Sequence, residues 1–466
     1  MEPYRIKAVE PIPFPTRPER ERALTRAGHN LFRVPASQVT IDLLTDSGTG
    51  SMSAAQWAAL MTGDESYACS TSYERFESVV RGISGFDEIM PVHQGRAAER
   101  VVFSTLLGPG DIVVSNTHFD TTRAHVEVTG SAAVDLPCPE AADLDSDYPF
   151  KGNIDLRALV DLLTGPEGHR VKAVVMTVTN NGGGGQPVSL DNLRRVRAVC
   201  DEHGLPFLLD ASRFAENSWM VLQQEKEHGY REPIEVARAT FDLADIFWAS
   251  LKKDGLANIG GVIGVRENAD LARRFRQEVI LNEGFSTYGG LAGRDLDALA
   301  QGLTEVTDPR YLADRADTAR WFAETLHKAG VPVVQPAGCH AVYVRAGEIL
   351  PHIPAHQFPG HAWSCALYLA GGIRAVEFGS LLLGSGGGEA PHELVRLALP
   401  RRVYTRSHLE FVVESAIEVG RLADDLTGYQ IVGDSPALRH FTAVLEPIPR
   451  DDAPPVAAGA RASIRG

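Results

Sequence analysis

Cysteine is scarce in this chain: Cys69, Cys138, Cys200, Cys339 and Cys365 are odd in number, widely scattered and never spaced C-x-x-C. That excludes a disulfide framework and a cysteine zinc site, and it fits a reducing, cytoplasmic setting. Long apolar runs are also missing, and the first residues mix Arg5, Lys7 and Glu10 with prolines instead of forming an apolar core. Neither membrane insertion nor secretion is expected. Positive charge is in deficit, with 45 basic against 60 acidic residues and a formal net charge of -15. Such a surface repels phosphate backbones and anionic lipid, so neither nucleic acid nor membrane is an expected partner.

What is present is enough apolar material for a large core: 466 residues, 44% of them hydrophobic, imply two domains. Short β-branched runs alternate with helical patterns between about residues 100 and 270, the arrangement of βαβ units around a mainly parallel sheet. Strands are expected at 111–115, 171–178, 205–210, 244–249 and 261–265. Leu190, Leu193, Val196, Val199 and Cys200 fall at helical spacing, with Ser189 able to cap the start and Gly204 to end the last turn. A second helix is expected at 97–107. In open α/β sheets ligands bind beyond the carboxyl ends of strands. Three polar clusters fall there: Asn180-Asn181 with Gly182 to Gly185, Asp210 to Arg213, and Ser250 to Asp254. A smaller domain follows, with a helix at 313–329 and strands at 341–344 and 394–399. The expected division is an N-terminal arm, 1–44, joined to the small domain; a large domain, 45–309; a small domain, 310–446; and a Pro-rich disordered tail, 447–466.

Within Ser250-Leu251-Lys252-Lys253-Asp254, Lys253 is the candidate to hold pyridoxal phosphate as a Schiff base, with Lys252 its competitor. Asp210 closes an apolar strand and could keep the pyridine nitrogen protonated, although an aspartate at a strand end also serves as an ordinary turn residue. Gln94-Gly95-Arg96 opens a helix and could cradle the cofactor phosphate, with a hydroxyl from Ser250. Phe119 could stack on a flat ring. Arg401, with Arg402 beside it, could bind an amino-acid carboxylate.

These residues and their flanks resemble the β-eliminating lyase family, whose members release indole from tryptophan or phenol from tyrosine. The resemblance runs from about Tyr4 to Leu445 and rests on long strings: 41–49 (IDLLTDSGT), Gly63-Asp64-Glu65, His93-Gln94-Gly95-Arg96, 184–189 (GGQPVS), Tyr288-Gly289-Gly290 and 438–443 (LRHFTA). It implies an α/β fold of the aspartate-aminotransferase type (fold type I), a homotetramer with shared active sites, pyridoxal phosphate, a potassium ion and a small amino-acid substrate. By the same resemblance Lys253 is the Schiff-base lysine and Lys252 its helper. Asp210 is the pyridinium partner and Arg213 a cofactor-hydroxyl contact. Asn181 serves the ring edge or the substrate carboxylate, Tyr288 the cofactor, and Ser47 and Arg401 the substrate. Tyr67 is the general acid toward the leaving ring. Potassium would be held by Glu65 and the backbone oxygens of Gly48 and Asn258.

Three positions separate the activities, and all three favour indole: Asp120 and His440 match the indole-releasing pattern, while Phe378 lacks the phenol-releasing arginine but is bulkier than the aliphatic residue usual in the indole-releasing branch. The phenol-releasing pattern places threonine, arginine and phenylalanine there. Strings such as Gln56-Trp57-Ala58 and 401–404 (RRVY) look closer to the phenol-releasing branch. Function resides in the site more than in the scaffold, so the expected reaction is elimination of indole from L-tryptophan or a ring-substituted relative. The alternatives are tyrosine cleavage, a β-lyase for S-substituted cysteines, and a cofactor-binding homologue without turnover. Leu251, Ala97 and Gly182-Gly183 depart from the family pattern, and the glycine pair is expected to loosen the loop after Asn181.

Overall fold

The computed structural model describes residues 1–384, 388–433 and 438–449. The chain divides into two compact units: Met1–Ile12 with Ile41–Val344 and Arg396–Ile417, and Pro13–Thr40 with Arg345–Val395 and the chain from Glu418 onward.

Among the described residues the first unit holds a seven-stranded sheet. Its order is Glu88–Val92, Gly261–Val265, Ile246–Ser250, Phe207–Asp210, Val171–Thr177, Ile112–Ser115 and Ala132–Asp135. The last five in that order are parallel, while Gly261–Val265 runs antiparallel to both of its neighbours. The expected α/β, mainly parallel sheet is therefore present, with one reversed strand and two edge strands beyond the expected set. Pro91 argues against a central strand, and here it sits at the edge, where a missing N–H is tolerated. Ala132–Asp135, at the other edge, is only partly buried and so lacks an apolar run.

The sheet is buried on both faces, as the unbroken apolar strands require. Val174 and Met176 pack into one core with Leu209 and Phe247, while Ala173 and Val175 face another with Leu208, Ile246 and Trp248. The helix Leu190–His203 starts where Ser189 Oγ accepts from Asn192 N at 3.0 Å and ends at Gly204, whose φ of +64° suits a residue without Cβ. The helix expected at 97–107 spans Gly95–Leu106, two residues earlier than a helix-disfavouring glycine suggests.

The expected domain limits need correction. Residues 310–344 belong to the first unit, because the helix Pro309–Lys328 is tied to Phe214–Gln224 by the buried Arg315–Glu216 ion pair. Residues 396–417 return to the same unit, and the N-terminal arm is split between the two.

In the second unit Arg20, on the helix Arg17–Arg26, donates to the carbonyls of Leu369 at 3.0 Å and Ala370 at 2.8 Å, capping the end of Pro359–Gly371. Tyr429–Val432 pairs antiparallel with Val444–Pro447, so Pro447 belongs to a strand and not to the expected tail. Residues 450–466 of that tail lie outside the described residues.

Candidate functional site

Five chain segments leave the sheet at one edge because their strands run the same way. Val92 leads to Gln94, Ser115 to Phe119, Thr177 to Asn181, and two strands end on Asp210 and Ser250 themselves. The reversed strand creates the lysine turn. Ser250 lies opposite Gly261, and Leu251 N donates to Gly260 O at 3.0 Å, closing residues 251–260 into a loop at that edge.

Lys253 is partly buried there. Burial, then the nearby Arg213 charge, pushes its ammonium down to about 8 against the opposing pull of Asp46, Asp210 and Glu99. A neutral amine is thus accessible near physiological pH. Lys252 is lowered as well, by burial and then Arg96. Its carbonyl accepts from Gly48 N at 2.7 Å, and a Cβ on Gly48 would stand 2.5 Å from Lys252 Cε. Asp210 is buried, and its Oδ1 accepts from Ser212 N at 3.1 Å and Ser212 Oγ at 2.6 Å. Ser212 Oγ accepts in turn from Ser250 N at 3.0 Å, linking the carboxylate to the start of the lysine turn.

Gln94 and Gly95 form the opening of the helix Gly95–Leu106, whose first N–H groups have no partner within the helix. A Cβ on Gly95 would lie 2.6 Å from Ser250 Cβ, so glycine lets this helix start against the strand end. With the exposed Arg96, the arrangement suits a phosphate.

Arg401 is buried among carboxylates. Its Nη1 donates to Asp46 Oδ2 at 2.9 Å, and its Nη2 to Glu216 Oε1 at 2.7 Å and Asp254 Oδ1 at 2.9 Å. Arg213 makes a two-pronged contact with the same Asp46, at 3.0 and 2.8 Å, and Arg315 pairs with Glu216. Three arginines and three carboxylates therefore form one buried, charge-balanced cluster, which burial alone would forbid. Arg401 Nε has no partner among the described residues. Arg396 is a second cation near this site: partly exposed, it places Nη1 3.4 Å from Asn181 Oδ1 and Nη2 3.2 Å from Leu44 O.

Asn181 itself is buried, and Nδ2 has no partner among the described residues. The glycines after it are packed, which corrects the expected looseness: a Cβ on Gly182 would meet Thr117 Cγ2 at 2.5 Å. Phe119 is half-buried and precedes the helix Asp120–Glu127, where Asp120 Oδ1 accepts from Thr121 N at 2.6 Å. Burial raises the Asp120 carboxyl above its ordinary value, opposed by the Thr121 amide, Arg396, Arg96 and Lys253.

Sequence reasoning missed Glu99. This buried carboxylate accepts from Thr121 Oγ1 at 2.7 Å and Thr122 Oγ1 at 2.8 Å, and burial, with Asp210 nearby, pushes it up to about 7. Its signal was an acid among Ala98, Val101 and Val102 on an otherwise apolar helix face. Glu216 and Arg315 were equally unmarked, and Asp46 and Asp254 stood in marked strings without a role.

Tyr67 is 70% exposed and packs on Phe285 and Tyr288 with ring centroids 5.7 and 5.3 Å apart. Ser47 N donates to Thr45 Oγ1 at 3.1 Å, a local turn contact. Gly48 and Asn258 lie together, since Asn258 Nδ2 donates to Gly48 O at 2.9 Å. Glu65 is engaged elsewhere, accepting from Gly293 N at 3.0 Å and Arg294 Nη1 at 3.0 Å. Phe378 and His440 are both buried in the second unit, Phe378 at the end of the strand Val376–Phe378 and His440 against Phe32 and Phe441.

Comparison with known proteins adds the following. The family model described as beta-eliminating lyase matches residues 42–415. A protein named tryptophanase from Hyphomonas neptunium is 53% identical over 450 residues, covering 96% of this chain and 99% of that protein. One of the same name from Salinibacter ruber is 51% identical, covering 96% and 95%. A tyrosine phenol-lyase from Symbiobacterium thermophilum is 44% identical, covering 96% and 98%. Among solved structures, Sphingomonas wittichii serine palmitoyltransferase shares the fold with a TM-score of 0.57 at 15% identity, covering 83% of this chain and 88% of that one.

Proposed function

Because the chain belongs to the β-eliminating lyase family, we propose that it is a carbon–carbon lyase that cleaves L-tryptophan, or a ring-substituted tryptophan, with water to indole, pyruvate and ammonia. The observation that carries this reading is the lysine turn: Lys253, poised to be neutral near pH 8, stands on the loop that Ser212 ties to Asp210. The residues fit pyridoxal phosphate, since Gly95 clears the helix opening beside Ser250 and Asn181 Nδ2 is a buried donor without a partner. When bound, the cofactor supplies an electron sink for the bonds broken at the substrate's Cα and Cβ.

The chain supplies the rest. Gln94, Gly95, Arg96 and Ser250 would hold the phosphate, Phe119 the ring face, Arg213 and Tyr288 the ring edge, and Asp210 the proton on the ring nitrogen. Arg396, in place of Arg401, orients the substrate carboxylate, and Asn181 serves that carboxylate or the ring edge. Lys253 Nζ takes the α-proton, with Lys252 at its side. Tyr67 gives a proton to the indole carbon that leaves, and Asp120 accepts from the indole N–H. Phe378 and His440 enter this reading through the resemblance alone.

Assembly as a homotetramer and residence in the cytoplasm belong to the same reading. A phenol as exposed as Tyr67 can act as an acid in a water-free site only if another surface covers it. Of the expected potassium ligands, Gly48 O accepts from Asn258 Nδ2 and Glu65 from Arg294 Nη1, each keeping a further lone pair for an ion. No step here depends on that ion.

Replacing Lys253 with alanine tests the reading. Pyruvate release from tryptophan should fall by at least about 10³-fold, along with the long-wavelength cofactor absorbance; an active variant would exclude Lys253 from the chemistry.

A further inference from the structure

Asn181 leaves its donor, not its acceptor, free for a ligand, and we infer that Tyr343 is the positioning residue that fixes it so. The inference deepens the cofactor and substrate reading above and rests on it. Asn181 Oδ1 accepts from His340 Nε2 at 2.8 Å and from the Tyr343 hydroxyl at 3.0 Å, with Arg396 Nη1 at 3.4 Å. The same hydroxyl lies 3.1 Å from the Asn181 backbone carbonyl, so one phenolic hydrogen is shared between two oxygens of one residue. With the acceptor Oδ1 facing it, His340 donates from Nε2, the tautomer whose Nδ1 carries no hydrogen. The imidazole reaches Asn181 because position 185 has no side chain: a Cβ on Gly185, at φ +76°, would stand 2.7 Å from His340 Cε1.

Turning the amide over would set its NH2 against the Arg396 guanidinium, which can only donate, and against a Tyr343 oxygen that already takes a hydrogen from Arg396. This orientation is therefore the favoured one, and Nδ2 is left buried with no partner among the described residues. A buried NH2 kept without an acceptor is unfavourable unless a ligand brings one. The matching chemistry is an oxygen that carries negative charge and no hydrogen. It could come from the deprotonated ring oxygen of the cofactor or from the substrate carboxylate. Tyr343 is fully buried on the strand Ala341–Val344, where phenylalanine would fill the same space without holding the amide.

The test compares wild-type and Tyr343→Phe holoenzymes, with Asn181→Ala setting the full size of the effect. Two readouts separate the sources: the pH midpoint of the cofactor absorbance without amino acid, and the affinities for L-alanine and for tryptamine, which lacks the carboxylate. If the ring oxygen is the acceptor, the midpoint rises by about half a unit or more in Tyr343→Phe. If the carboxylate is, L-alanine binds roughly threefold to tenfold more weakly and tryptamine is unaffected. In either case Asn181→Ala shifts the same readout further. Both readouts unchanged in Tyr343→Phe, with or without a lower melting temperature, overturn the clamp, as does equal weakening of both ligands with no shift in midpoint. A wild-type protein with no cofactor absorbance overturns the cofactor reading itself, and the clamp with it.

Discussion

Replacing Arg401 with glutamine removes one cation from a cluster in which Arg213, Arg315 and Arg401 face Asp46, Glu216 and Asp254. The side chains that meet at Arg401 are only 1–2% exposed, so water cannot take over its role. Breaking a buried pair by deleting one partner costs about 3–5 kcal/mol, because the stranded carboxylates keep their desolvation penalty. At the lower end of the usual conversion for a large domain, that is a fall in melting temperature of about 5 °C or more. Deleting Asp254 as well, in Arg401→Gln/Asp254→Asn, restores charge balance and should recover part of the loss. Arg396→Gln should leave the melting temperature within about 1 °C, yet raise KM for the amino acid roughly 100-fold. Calorimetry and steady-state kinetics on the three holoenzyme variants decide the matter. An Arg401→Gln enzyme with unchanged melting temperature and a greatly raised KM would show that Arg401, not Arg396, is the carboxylate anchor.

Reconstitution should report the lowered Lys253 pKa. The lysine is protonated below about 8, so cofactor capture by the apoenzyme should slow as pH falls through that value and level off above it; a midpoint near the ordinary 10.5 contradicts the burial argument. For the same reason the folded apoprotein holds fewer protons than the unfolded chain between about pH 8 and 10.5, so this group's contribution to stability rises with pH across that window. Gly95→Ala, whose Cβ would stand 2.6 Å from Ser250 Cβ, should weaken cofactor binding about tenfold in an absorbance titration, and unchanged affinity would remove the phosphate cradle from this helix opening.

Much of this site was legible because its residues sit where local sequence rules are strong. Asp210 and Ser250 end apolar strands, Gly204 ends a helix, and the glycine before Arg96 opens one. What escaped was set by distant partners. Gly261–Val265 reads as a strand, but its reversal depends on how residues 251–260 turn back, which no periodicity records. Arg401 beside Arg402 reads as a surface cation with a ligand to bind, and only the arrival of Asp46, Glu216 and Asp254 from three other segments makes it a buried tie. Tyr343 within 341–344 (AVYV) reads as strand core, and its hydroxyl acquires meaning only from the loop that brings Asn181.

The most direct test of the central claim is product release by the purified holoenzyme supplied in turn with tryptophan, ring-substituted tryptophans, tyrosine and S-alkylcysteines. Indole and pyruvate in equal amounts from tryptophan, with kcat/KM at least about tenfold above that for tyrosine, is the result expected from an acceptor at Asp120 for the indole N–H. Phenol from tyrosine as the faster product, or pyruvate from S-alkylcysteines alone, would contradict it.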